Sequence, residues 1–297
     1  AAIEAAKRRL VAQLLALGLP VRSGVEEDAD RGLMFDFLRS PPEGPAVLTG
    51  HANGLITINA EEADDVKREK IKHHLHEPYR TLLGHLRHEI AHYFWDQLIS
   101  QTPRLDRFRE LFGDESLNYD AALQSYYQHG PPADWQDRHI SAYASAHPWE
   151  DWAETWAHYL HIVDTLETAG AFGLTVRPRI RTGDELAAEI DFDPHHTADL
   201  GRLVAAWLPL TFAVNSLNRS MGQPDLYPFV LSPPVIGSVA TSRLTRSVDV
   251  LGFTPAVVEK SQPVRSRHWV LPNALVKQFA NWWRPQNWRP RTYALSK

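Results

Sequence analysis

His88-Glu89-Ile90-Ala91-His92 decides how this sequence is read. Two histidines four apart share one face of a helix, so both imidazoles can reach a single ion. Glu89 points partly to the side, where it can take a proton from a water held by the metal and later protonate a leaving group. The motif lies within an apolar repeat, Leu82, Leu83, Leu86, Ile90, Phe94 and Leu98, that recurs every three or four residues. This spacing predicts an amphipathic helix that starts at Glu77-Pro78-Tyr79, runs to about Ser100 and is ended by Pro103. The chain holds 15 histidines, so composition alone can produce such a motif, and the surrounding sequence must support it.

The chain has no cysteine, which leaves His, Asp and Glu as ligands and excludes disulfides. A catalytic zinc needs a third protein ligand and an open position. The metzincin extension would place glycine at 95 and histidine at 98, but Trp95 and Leu98 stand there, which excludes that class. A carboxylate on a second helix is the alternative, and His147-Pro148-Trp149-Glu150-Asp151-Trp152-Ala153-Glu154 supplies two. Pro148 suits the first turn of a helix, and Glu150 and Asp151 suit its dipole. Glu150 and Glu154 share a face, so one can bind the ion while the other hydrogen-bonds a ligand imidazole. The predicted helix spans 148–160. Trp149, Trp152 and Trp156 read as core and cleft lining.

Farther out, residues 2–17 read as an amphipathic helix and Met34–Leu38 as a strand. Gly54-Leu55-Ile56-Thr57-Ile58-Asn59 is the clearest strand. Residues 61–74, 107–112, 120–129 and 199–217 read as further helices, with a loop at Gly130-Pro131-Pro132. His73, His74, His76 and His85 read as solvated or capping residues, and His158 and His161 as packing or supporting groups. Among 297 residues, 43% are hydrophobic and 23% charged, ordinary values for a globular chain with a real core. No run approaches the ~20 apolar residues of a membrane span. No signal-peptide pattern stands at the start, which points to a cytoplasmic location. Net charge is −5, unevenly spread: residues 238–297 carry ten basic and two acidic groups, a balance of +8, against −13 for the rest. That contrast suggests a body, 1–236, and a basic, Trp/Pro/Arg-rich extension, 237–297.

Taken together, the two motif helices resemble the gluzincin pattern, His-Glu-x-x-His followed by Glu-x-x-x-Glu. They are similar to the active-site helices of the anthrax lethal factor peptidase, where a tyrosine lies seven residues before the glutamate ligand; here Tyr143 lies seven before Glu150. More broadly, residues 54–59, the His88 helix, residues 149–161 and the stretch Leu208-Pro209-Leu210-Thr211-Phe212-Ala213-Val214-Asn215-Ser216-Leu217-Asn218-Arg219-Ser220 look like a bacterial family of zinc-binding metallopeptidases. The resemblance covers about 3–234. Members of that family often begin with a cysteine-rich zinc ribbon, for which this chain has no cysteine, and the part after Pro234 matches nothing in it.

The resemblance implies an α-rich α+β fold, a zincin-like metallopeptidase catalytic domain with a small sheet beside the active-site helix. One catalytic zinc ion (Zn2+) is expected on His88, His92 and Glu150, with Glu89 as general base, Glu154 orienting a ligand histidine, and Tyr143 donating to the oxyanion. Ser141, Ser145 and His147 are the competing donors near Glu150. In zincins the edge strand commonly pairs with extended substrate, which makes Leu55, Ile56, Thr57, Ile58 and Asn59 the expected substrate strand. The implied activity is zinc-dependent hydrolysis of a peptide or protein substrate. The rival is a non-catalytic zinc-binding scaffold or interaction protein, with nucleic acid bound through the basic extension.

Overall fold

The computed structural model describes residues 2–74, 77–179, 186–197 and 199–229. The extension 237–297 and His76 lie outside the described residues. In chain order the elements are α1 (Ala2–Ala16), β1 (Met34–Leu38), β2 (Gly50–Ala52), β3 (Leu55–Asn59), a 3₁₀ turn (Ala60–Ala63), α2 (Asp65–His74), α3 (Leu82–Leu98), α4 (Arg104–Phe112), α5 (Tyr119–His129), α6 (Trp135–Arg138), a 3₁₀ turn (Tyr143–Ser145), α7 (Pro148–Ala171), β4 (Thr175–Val176), β5 (Ala188–Glu189) and α8 (Leu200–Ser220). This is the expected α-rich α+β fold with a small sheet. No helix among the described residues is long and apolar enough to cross a membrane.

Several boundaries differ from expectation: α4 starts at Arg104 rather than 107 and α8 runs to Ser220 rather than 217, and three others have a clear local reason. α3 begins at Leu82 rather than Glu77, because Thr81 has extended backbone and its hydroxyl accepts from the Gly84 N–H at 3.0 Å. The Glu77 carboxylate instead accepts from Arg80 at 2.9 Å. The 61–74 segment is split at Asp64, whose extended backbone ends the 3₁₀ turn and whose side chain accepts from Val66 N–H at 2.9 Å to start α2. α7 continues to Ala171, well past 160, since its buried side carries on through Ile162, Val163, Leu166 and Ala169.

The sheet overturns the expectation for the substrate strand. Its order is β1-β3-β2, with β3 parallel to β1 and antiparallel to β2. Leu55, Ile56, Thr57, Ile58 and Asn59 all pair with β1, and β2 takes the opposite edge of Leu55, Ile56 and Thr57. With β1 along one side and β2 along most of the other, β3 is the central strand and not the edge strand expected to take a peptide. The sequence hid this because β2 is only three residues long. A hairpin turn at Asn53-Gly54 joins it to β3, with φ of 49° and 85°, the left-handed pair that a two-residue turn demands. Ile56 and Ile58 are fully buried, so one face of β3 joins the core.

α3 and α7 pack antiparallel at the centre. Moving up α3 from Arg87 to Trp95, the partners on α7 run backwards. Arg87 meets Asp164, His88 meets Glu154, the Ala91 carbonyl accepts from Trp152 Nε1 at 2.9 Å, and Trp95 lies against Trp149. Phe94 and Trp156 stack with ring centres 5.4 Å apart. α1 seals one side. Gln13 donates to the Leu160 carbonyl at 2.7 Å and accepts from Arg87 at 2.9 Å, while Arg9 grips Asp164 through two bonds of 2.8 Å.

Arg87 is 1% exposed and holds its charge inside the core against Asp164. Burial pushes the Asp164 carboxyl up, but bonds from Arg9 and the charge of Arg87 outweigh it and hold it below the usual range. Breaking such a pair leaves an uncompensated buried charge. Asp164→Ala should therefore cost about 3–5 kcal/mol of stability, read as a lower urea midpoint at unchanged slope. A loss below about 1 kcal/mol, the level of an exposed ion pair, would show that Arg87 finds another counter-charge.

Candidate metal centre

His88 and His92 stand one turn apart on α3 with their Nε2 atoms 3.2 Å from each other. From the start of α7, Glu150 brings Oε2 to 2.9 Å from His88 Nε2 and Oε1 to 3.7 Å from His92 Nε2. One ligand atom from each of the three residues lies within 4.8 Å of the others. Two ligand atoms bound to one tetrahedral zinc stand roughly 3.3 Å apart, so the spacing suits that ion.

The donor set points the same way. His88 Nδ1 lies 2.8 Å from Glu154 Oε1, a carboxylate that can only accept, so Nδ1 carries the proton and Nε2 keeps its lone pair. That lone pair faces His92 Nε2 and Glu150 Oε2. The Glu150 side chain is almost wholly enclosed, and its Oε2 has no hydrogen-bond donor. Three electron-rich atoms meeting inside a protein need a cation or an extra proton between them. The titration directions reflect this crowding. Burial pushes His88 down, yet Glu150 and Glu154 outweigh it and hold it well above its ordinary value. Burial drives His92 down to about 4. Burial would raise Glu150, but His92 and His88 pull it to about 2.

The other expected residues fall around this cluster. Glu89 is 9% exposed, and burial pushes its carboxyl up to about 7, with Glu150 and Glu62 adding to the push and His88 opposing it. Glu154 is held on both oxygens, by His88 and by the Ser141 hydroxyl at 2.6 Å. The Tyr143 ring centre is 6.0 Å from that of His88. Burial and the charge of Glu150 hold its phenol well above the usual value, so it keeps its proton. The competing donors are engaged elsewhere: Ser141 on Glu154, Ser145 on the Ala142 carbonyl, and His147 as the N-cap of α7. Leu55 to Asn59 belong to the central strand and are not at an open edge.

Two contacts had no signal in the sequence. The Tyr119 hydroxyl donates to Glu150 Oε1 at 2.6 Å across 31 residues, and Ser141 reaches Glu154 from a loop. Tyr119 is brought near α7 only by the tertiary fold; Ser141, close to α7 in the chain, was expected as a donor near Glu150, but nothing in its spacing assigned it to Glu154. His85 also departs from the solvated reading, with Nδ1 2.6 Å from the buried carboxylate of Glu62. His158 and His161 take the packing roles expected: His158 bonds the Tyr227 hydroxyl, and His161 Nδ1 lies 2.6 Å from Arg87.

Residues 1–241 match the family described as "Putative zinc-binding metallo-peptidase". The chain belongs to this family. Relatives include uncharacterized proteins of Mycobacterium bovis and of two Mycobacterium tuberculosis strains, each 49% identical over 234 residues. The aligned stretch is 78% of this chain and 65% of each relative, so the chain spans just under two thirds of their length. No solved structure matches it. Membership brings zinc binding and peptidase chemistry as the family's suggested properties, and the His88, His92 and Glu150 cluster is the candidate site for the metal.

The two glutamates approach the histidines differently. Glu150 faces both imidazoles, whereas Glu154 touches the far nitrogen of His88. Glu150→Ala should therefore weaken zinc binding more than Glu154→Ala, whose loss should fall in the ~10–100-fold range of an outer hydrogen-bond partner. Competition titration with a chromogenic chelator measures both, and the reverse order would exchange the two assignments.

Proposed function

We propose that the chain is a zinc-dependent peptidase that hydrolyses peptide bonds, with His88, His92 and Glu150 holding the metal and Glu89 as general base. The reading rests above all on the meeting of two imidazoles and one orphaned carboxylate oxygen, beside a glutamate that no ion pair consumes. Zinc, when bound, polarises substrate and water and lowers the pKa of that water to about 7. Three protein ligands leave a position open, which favours a catalytic over a closed structural site. This weighs against the scaffold reading. Residues 1–236 carry the proposed activity, and 237–297 stand outside it as an extension.

Glu89 accepts the proton of the attacking water and passes it to the leaving amine. Its raised affinity for a proton suits both halves of that task. Glu154 fixes the ring of His88 through Nδ1, with Ser141 holding the second oxygen of the carboxylate. Tyr143 keeps its proton and donates to the carbonyl oxygen as negative charge gathers there. An extended substrate would pair with an outer strand, and β2 is the one beside α3, with His51 against Tyr93.

Digestion of a degenerate peptide library, with and without chelator, tests the reaction class. Glu89→Gln should retain zinc and fold yet lose cleavage, because an amide cannot accept the proton. Near-wild-type turnover by that variant would remove Glu89 as the base.

Tyr143→Phe keeps the ring and deletes only the hydroxyl. Turnover should fall ~10²–10³-fold with zinc content and melting temperature little changed. A fall of less than about threefold would assign oxyanion stabilisation to another donor.

A further inference from the structure

We propose that Tyr119 is a positioning residue that restricts Glu150 to one metal-facing oxygen, Oε2. The inference rests on the zinc reading above and concerns a residue from outside both motif helices. A carboxylate can meet a zinc ion through one oxygen or through both, and the second mode fills a position that a catalytic site keeps open. In this structure the two oxygens of Glu150 are treated differently. Oε1 accepts from the Tyr119 hydroxyl at 2.6 Å, the length of a charge-assisted bond. Oε2, buried and without any donor, is 2.9 Å from His88 Nε2.

The placement of Tyr119 is built into the start of α7. His147 caps that helix by accepting from the Trp149 N–H through Nδ1, at 3.1 Å. The tautomer that does so carries its proton on Nε2, and Nε2 donates to the Leu117 carbonyl at 3.2 Å. One imidazole therefore sets the first turn that carries Glu150 and grips the backbone two residues before Tyr119. Its ring also packs edge-on against Tyr119, with centres 5.2 Å apart. α5, which begins at Tyr119, has no fully buried residue and turns Tyr119, Ala122, Leu123 and Tyr126 inward only in part. The phenol is held more firmly by His147, Trp149 and Glu150.

Tyr119→Phe in the full chain, loaded with zinc or with cobalt(II), tests the assignment. The expected result is a ~10–100-fold weaker zinc affinity, the range for a lost outer partner, with the metal-free melting temperature unchanged. The cobalt form should lose visible absorption intensity as the freed Oε1 adds a donor to the metal. An affinity and a cobalt spectrum equal to wild type would overturn the proposal. So would a metal-free variant that melts as far below wild type as the loaded one does, because the loss would then belong to folding. A wild type that takes up neither ion would remove the zinc reading and this proposal with it. A wild type that binds both, beside an indifferent Tyr119→Phe, would remove this proposal alone.

Discussion

The register of α3 against α7 is the constraint on which the site depends. The histidines are on one helix and the carboxylates on the other, so neither helix makes the cluster alone. A slip of one turn, about 5.4 Å, would carry Glu150 out of reach of both imidazoles. The register is fixed at several heights. Arg87 meets Asp164 at one end, Trp152 bonds the Ala91 carbonyl in the middle, and Trp95 packs on Trp149 at the other. Apolar packing alone tolerates sliding. A buried guanidinium does not, because moving it from Asp164 and Gln13 would strand its charge in the core.

The same helix pair explains the electrostatics of the centre. Glu150 and Glu154 stand on consecutive turns of α7 and approach opposite nitrogens of His88, one ring serving as the hinge between them. Glu154 fixes the proton on Nδ1 and so frees Nε2. Glu150 then meets that lone pair with an oxygen that nothing else satisfies. The crowding of electron-rich atoms is thus a product of the packing, which encloses Glu150 and leaves the two imidazoles only partly exposed.

Support for the cluster comes from segments outside the two motif helices. The loop before α7 supplies Ser141 and Tyr143, and the start of α5 supplies Tyr119. His147 joins them to the helix through a single ring used at both nitrogens. The C-terminal side is tied in as well. Asn215 on α8 bonds the backbone of Tyr227 in both directions, at 2.8 and 3.1 Å, and Tyr227 in turn holds His158, one turn beyond Glu154 on α7. The stretch 208–220 that marks the family resemblance therefore shapes the back of the α7 helix.

What the sequence determined by itself was local and periodic. His88 and His92 had to share a face, Glu150 and Glu154 had to share another, and the apolar repeat around each had to bury the opposite side, because 3.6 residues per turn leaves no other outcome. Pro148 with its acidic first turn likewise announced α7 at the correct residue. Thr81 could cap α3 only by outcompeting Glu77 and Pro78, a contest settled by what Arg80 and Gly84 meet in space. β2 was too short to show a period, so the place of Leu55–Asn59 in the middle of the sheet was decided by strand pairing alone. Tyr119 and Ser141 reach the glutamates from distant or irregular segments, where no repeat links position in the chain to position in space. Helical spacing is a property of one segment and can be read from it; hydrogen bonds between segments exist only after the fold has chosen which of them meet.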